Sequence, residues 1–407
     1  MSTVKRFIKY FFRPKKDSDS ILTFFVYGLL LISLVYITSA SINTSTTVGS
    51  TFRNIVKQVF IVVSSLMLFN FFSNFFDGKR CRKNIIIYLV LELLLLITAY
   101  VYCKLTGDIN GNYSWITINL GLFQFGIQPS EFAKTFIVLS NACLLGDRKF
   151  KNIDSQWQMI KFPLFFLLTY FGIIIFLQKD AGSGLIVWMI GCICFLFTSN
   201  KKLRGLRLLL VFLAFLAIGA YFYCLLTESG RAILEKVSTT FSARFSAVTD
   251  PSYNNDATRE IFYSLLGISN GNIFGVGLGN SVQKFGYLVS SDADYIFAVI
   301  VEECGILGIL SIFVPYIFII SRLLYYSKRV TKEFDKIILL GTVVYLSIHF
   351  FFNVGGVSGL VPLTGVPLLL VSRGGSATFS IMVLLGICQN RIANYYAEKK
   401  AKSGFID

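Results

Sequence analysis

Ser291-Asp292-Ala293-Asp294-Tyr295-Ile296-Phe297-Ala298 marks a boundary in the chain. A polar, glycine-rich run that begins at Glu228 gives way here to an apolar segment of membrane-spanning length. Apolar runs of about 20 residues recur along the rest of the 407-residue chain, which is 55% hydrophobic with a mean hydropathy of +0.67. Ten spans fit, roughly 21–40, 56–75, 84–103, 129–146, 162–178, 183–200, 207–227, 294–325, 337–357 and 374–391. The fold class is therefore all-α: a polytopic membrane protein of about ten transmembrane helices. One long extracytoplasmic loop, 228–293, joins helices 7 and 8. The eighth run exceeds what the hydrocarbon needs, so it is expected to tilt or to project beyond the bilayer.

A net charge of +16 would suit a nucleic-acid binder, but its placement argues against one. Most Lys and Arg lie in the N-terminus, the C-terminus and alternate connectors (Lys79 to Lys83, Arg148 to Lys161, Lys201 to Arg207, Arg322 to Lys336). That is the positive-inside pattern, and with an even number of spans it makes both termini cytoplasmic. The excess charge thus reads as topology, and no nucleic-acid partner is expected. The organisation expected is a basic cytoplasmic N-terminus (1–20) with no cleavable signal, an integral membrane domain (21–391) and a cytoplasmic tail (392–407). The eight cysteines form no CxxC pair and read as small apolar fillers.

Within the long loop, Ile233, Val237, Phe241 and Phe245 recur every four residues, predicting an amphipathic helix at the membrane surface. Asp250-Pro251 ends it, and a second helical run covers Ile261 to Ile268. The glycines between Gly275 and Asn280 then permit a tight turn.

Ionisable groups in or beside apolar spans are costly and so read as functional or paired. Glu131 and Lys134 share one helical face at the opening of the fourth span. Lys179-Asp180 breaks the fifth span from the sixth, and Arg373 precedes the tenth. Glu92, Glu302 and Glu303 lie within spans, where mutual salt bridges or interfacial snorkelling are the plain alternatives. His349 is the only histidine and reads as a packing residue, which excludes Ser-His-Asp chemistry and His-based metal sites.

Several strings together resemble one family. Gln128-Pro-Ser-Glu-Phe-Ala-Lys134, Gln178-Lys-Asp-Ala-Gly182, Asp294-Tyr-Ile-Phe-Ala-Val-Ile-Val-Glu-Glu-Cys-Gly305, Pro362-Leu-Thr-Gly365 and Ser372-Arg-Gly-Gly-Ser376 are similar, in order and spacing, to the motifs of the SEDS family (FtsW, RodA and SpoVE proteins). The loop strings lean to the FtsW and SpoVE branch. Lys179, Arg373 and Asp292-Ala293 depart from the family's usual residues.

The resemblance implies a peptidoglycan glycosyltransferase of the bacterial plasma membrane. It would polymerise lipid II by inverting transfer at the outer face, in cell division or cell-shape maintenance. It also implies partners: a class B penicillin-binding protein and other divisome or elongasome proteins. A lipid II flippase and a non-catalytic scaffold are the competing functions.

Such a transfer needs a base for the acceptor hydroxyl and positive charge for the leaving pyrophosphate. Asp294 is the candidate base, against the alternative that it only caps the eighth helix. Gln128, Glu131, Lys134, Asp180, Ser372 and Arg373 are the candidate substrate-binding residues, with Arg244 or Arg259 as further phosphate partners. Asp180 or Asp294 could hold a divalent cation, Mg or Mn, and no organic cofactor is expected.

Overall fold

The computed structural model describes residues 10–42, 48–107, 112–119, 121, 123–146, 156–237, 239–253 and 255–403. Its elements are α1 (Ser20–Ser41), α2 (Val48–Phe75), α3 (Gly78–Thr106), the short strands β1 (Ile116–Asn119) and β2 (Gln124–Ile127), α4 (Pro129–Leu145), and α5 (Gln156–Gly172) running into a π turn (Ile173–Leu177). They continue as α6 (Ala181–Leu196), α7 (Arg204–Leu226), α8 (Glu228–Val237), α9 (Thr239–Thr249), α10 (Asp256–Gly271), α11 (Ile296–Ser327), α12 (Glu333–Val357) and α13 (Gly375–Ser403). Every predicted span coincides with a helix. Among the described residues, eight helices are long and apolar enough to cross a membrane.

The two shorter helices are α4, with 17 residues, and α6, with 16. In α4 every residue except Phe132 and Phe136 is buried, so it forms the axis of the bundle. Pro129 starts it at a position where a missing N–H costs nothing.

Local chemistry sets the other helix starts. Asp19 accepts from Leu22 N at 2.6 Å to begin α1, and Asp77 accepts from Lys79 N at 2.8 Å to begin α3. Asp19 also takes Arg322 and Tyr326 from the end of α11, while Lys15 donates to Asn394 on α13 at 2.7 Å. The first and last helices therefore meet at one end of the bundle.

Two expectations about helix continuity are corrected. The eighth predicted span does not simply tilt: α11 breaks at Gly305 (φ 57°, ψ −137°). Val276 N and Gly277 N donate to Glu302 O and Glu303 O, both at 2.9 Å, and Ile306 N donates to Ile273 O at 3.0 Å. The loop thus takes over the hydrogen bonds that a continuous helix would make for itself. Gly275 (φ 76°) is needed there, because a side chain would collide with the Glu303 backbone.

The surface helix predicted from Ile233 to Phe245 is likewise two helices, α8 and α9, with position 238 outside the described residues. The second loop helix, α10, reaches beyond the predicted run at both ends and packs along α11.

The buried acids settle differently from one another. Glu302 accepts from Ser281 Oγ and from Val282 N and Gln283 N, the latter two at 3.3 Å. Glu303 pairs with Lys284 at 2.8 Å, both side chains fully buried. They are bound by the loop, not by each other. Glu92 is 3% exposed, and its Oε1 has no hydrogen-bond partner among the described residues, so the salt bridge expected as one plain alternative is absent.

Candidate active site

A cavity of about 640 Å³ opens at the end of the bundle away from the termini. Its walls are the start of α2, the β1–β2 hairpin, the start of α4, the break before α6, α9, the segment at Asp294, the turn 364–367 and the start of α13. The hairpin was not expected from the sequence. Ile116 pairs with Ile127 and Thr117 with Gly126. Trp115 lies so close over Gly126 that a side chain there would displace the indole.

Asp294 lines this cavity. The N-cap of α11 is Tyr295, which makes no side-chain cap bond, so the Asp294 carboxylate is not spent on capping. Its backbone oxygen accepts from Asn353 Nδ2, which also donates to Val366 O, each at 2.9 Å. One amide therefore holds the acid against the cavity turn. Burial, reinforced by the Glu260 and Asp292 charges, pushes the Asp294 carboxyl up to about 6.

Of the predicted substrate-binding residues, Gln128, Glu131, Asp180 and Arg373 line the cavity together. Asp180 caps α6 through Ser183 N at 3.0 Å and accepts from Gln128 Nε2 at 2.8 Å. Arg373 pairs with Asp292 at 2.5 Å, and its N–H donates to Asp292 O at 2.9 Å. Two departures from the family pattern are thus partners of each other. Burial raises the Asp292 carboxyl above its ordinary value, with the Arg373 charge opposing that rise.

Two other predictions are corrected. Lys134 is fully buried and does not reach the cavity. It sits beneath Glu131, at 2.5 Å from Oε1, with His349 Nε2 at 3.2 Å on its other side. His349 Nδ1 lies 3.1 Å from Pro367 O, which can only accept, so Nδ1 carries the proton and Nε2 accepts from Lys134. His349 is satisfied, as expected, but through this network. Ser372 also lies off the cavity, its hydroxyl accepting from Leu368 N at 2.8 Å.

Ser376, one turn into the same motif, faces the cavity instead, accepting from Gln128 N at 3.0 Å. Of the two loop arginines, Arg244 lines the cavity and Arg259 does not.

Sequence reasoning missed Lys57, which lines the cavity from α2. A single cation opening an apolar run looks like an interfacial anchor, so only its position among other cations could have marked it.

Both Asp180 oxygens accept hydrogen bonds, and the described residues include no group of three or more acidic, Cys or His side chains placed to hold a metal by themselves. Arg244, Arg373, Lys57 and Lys179 supply the cavity with positive charge.

Comparison with known proteins places the chain. The profile of the FtsW, RodA and SpoVE family, described as "Cell cycle protein", matches residues 20–397. The chain is 31% identical over 399 residues to the probable peptidoglycan glycosyltransferase FtsW of Bacillus subtilis, covering 95% of this chain and 94% of that one. Among solved structures it superposes on a chain from work titled "Structural coordination of polymerization and crosslinking by a peptidoglycan synthase complex" (TM-score 0.69, 23% identity, 93% of this chain and 98% of that one). It also superposes on the Rod shape determining protein RodA of Thermus thermophilus (TM-score 0.59, 21% identity, 93% and 98%). At that identity the two structures speak for the fold.

Proposed function

The chain belongs to the FtsW, RodA and SpoVE family of cell cycle proteins, and from that premise we propose that it is a peptidoglycan glycosyltransferase polymerising lipid II into glycan strands, in cell division or cell-shape maintenance. The observation that carries this reading is an uncapped, half-buried carboxylate, Asp294, facing a cavity lined by Lys57, Arg244 and Arg373.

Inverting transfer is a single displacement. The acceptor sugar's hydroxyl oxygen bonds to the anomeric carbon of the donor as the bond to the lipid pyrophosphate breaks. Asp294 takes the hydroxyl proton, and a carboxyl raised to about 6 is a stronger acceptor than an ordinary aspartate while still ionised at neutral pH. The negative charge growing on the pyrophosphate meets Lys57, Arg244 and Arg373. Gln128 and Glu131 also line the cavity. An apolar groove of about 350 Å³, formed by Phe60, Met67, Phe71 and Phe379, shares Phe125 as a wall with the cavity and suits a polyprenyl tail.

Purified full-length protein supplied with lipid II should make glycan polymer. Translocation of lipid II across a vesicle membrane without polymer would replace this reading with that of a flippase.

The same proposal places the protein in the plasma membrane, residues 21–391 forming one membrane unit, with both termini cytoplasmic and 228–293 outside. In a background without native cysteines, Ser252→Cys should label with an impermeant thiol reagent in intact cells and Ser403→Cys only after lysis. The reverse pattern would invert the topology. A class B penicillin-binding protein is the proposed partner, supplying cross-linking to the strands made here, within a larger division or elongation assembly.

A further inference from the structure

Lys179 stands apart from the other cations at the cavity. Arg373 is held by Asp292. Lys57 and Arg244 are half-buried, whereas Lys179 is exposed at the rim and makes no ion pair among the described residues. The neighbouring Asp180 carboxylate is already taken by Gln128 and Ser183.

The backbone at Lys179 is also unusual. It is left-handed (φ 57°), a conformation that costs an L-residue free energy and that proline cannot adopt. The surroundings fix it there. Gln178 N and Asp180 N donate to Ile173 O and Ile174 O, each at 3.0 Å, closing the π turn on either side. Tyr113 N donates to Gln178 O at 3.0 Å. The Tyr113 ring in turn lies 5.3 Å from the Lys179 ammonium and 5.4 Å from that of Lys104. A strained residue thus presents an uncompensated ammonium over an aromatic ring at the mouth of the cavity.

We propose that Lys179, seated on Tyr113, forms a rim subsite that binds an anionic group of the substrate, the carboxylate of the peptide carried by the lipid-linked sugar, and so helps determine which lipid is accepted. The subsite rests on the glycosyltransferase reading above. An exposed rim position suits a substituent that leaves the cavity. The half-buried Lys57 and Arg244 suit the pyrophosphate near the reacting carbon. Peptide carboxylate and lipid phosphate share the same chemistry toward an ammonium, and amidating the peptide separates them.

The test measures polymerisation by the purified full-length protein with two lipids, one with free peptide carboxylates and one with those carboxylates amidated. Lys179→Gln should raise KM about three- to fivefold on the first, as expected for one exposed ion pair. On the amidated lipid the rise should be much smaller, with kcat little changed on either. Lys179→Arg, which keeps the charge, should restore the wild-type KM. An equal rise on both lipids would assign Lys179 to the pyrophosphate and overturn the peptide subsite, and an unchanged KM on both would overturn any anion subsite here. Failure of the wild-type protein to polymerise either lipid would instead overturn the glycosyltransferase reading.

Discussion

Polymerisation of lipid II should fall by about 100-fold or more in Asp294→Asn, with lipid II binding and folding retained. Asparagine has the size of aspartate but cannot take the acceptor's proton. The substitution breaks no cap, because Tyr295 occupies the N-cap of α11, and the Asn353 bond goes to the backbone oxygen, which is unchanged. The rate should also carry a pH signature. A base that titrates at about 6 loses activity as pH falls through 6, and the residual activity of the variant should lack that limb.

Stability runs the other way. A carboxyl raised on folding binds its proton more tightly in the native state than in the unfolded one. Its contribution is fully present below the unfolded value near 3.9, and it is lost as pH rises to about 6. At pH 7 the ionised, desolvated Asp294 is therefore a liability to the fold. Asp294→Asn should melt no lower than wild type, and higher if anything. A near-normal rate in this variant would remove Asp294 from proton transfer.

What the sequence could reveal followed from how far each feature depends on neighbours. The apolar runs were legible because a helix in hydrocarbon must satisfy its own backbone and bury apolar side chains over a fixed length. Gly305 was not legible, because Ile296 to Ser327 reads as one apolar run. The break exists only because Val276 N and Gly277 N arrive from the loop to take the freed carbonyls. The hairpin was lost for a similar reason: two four-residue strands in a connector give too short an alternation to outweigh their surroundings.

At the site, Asp294, Asp180, Glu131 and Arg373 could be read from ionisable residues at span ends and Gln128 from the family resemblance, and the structure brings them to one cavity. Depth could not be read. Glu131 and Lys134 share a helical face, yet one lines the cavity and the other is sealed below it. Ser372 and Ser376 belong to one motif, but α13 begins between them and turns only the second inward.

That depth governs the second large effect, expected at Lys134. Removing its ammonium in Lys134→Met leaves Glu131 without its counter-charge in a site where Tyr345 and Ser380 cannot replace it: both donate to the Glu131 backbone oxygen, and the Tyr345 hydroxyl is 3.5 Å from Oε2. Stranding one partner of a buried pair costs about 3–5 kcal/mol, so the single variant should unfold at a markedly lower temperature. It should also lose polymerisation, because the network Glu131, Lys134, His349 and Pro367 O ties the cavity floor to the turn beside Asp294. The double variant Glu131→Gln with Lys134→Met removes both charges and should recover most of the lost stability, since a neutral buried pair has no unpaired ion to solvate. Polymerisation should stay low in the double variant, because the carboxylate facing the cavity is gone. Thermal unfolding and polymerisation measured on wild type and the two variants check this directly. If activity returns together with stability, Glu131 and Lys134 hold the bundle together and take no further part in the transfer.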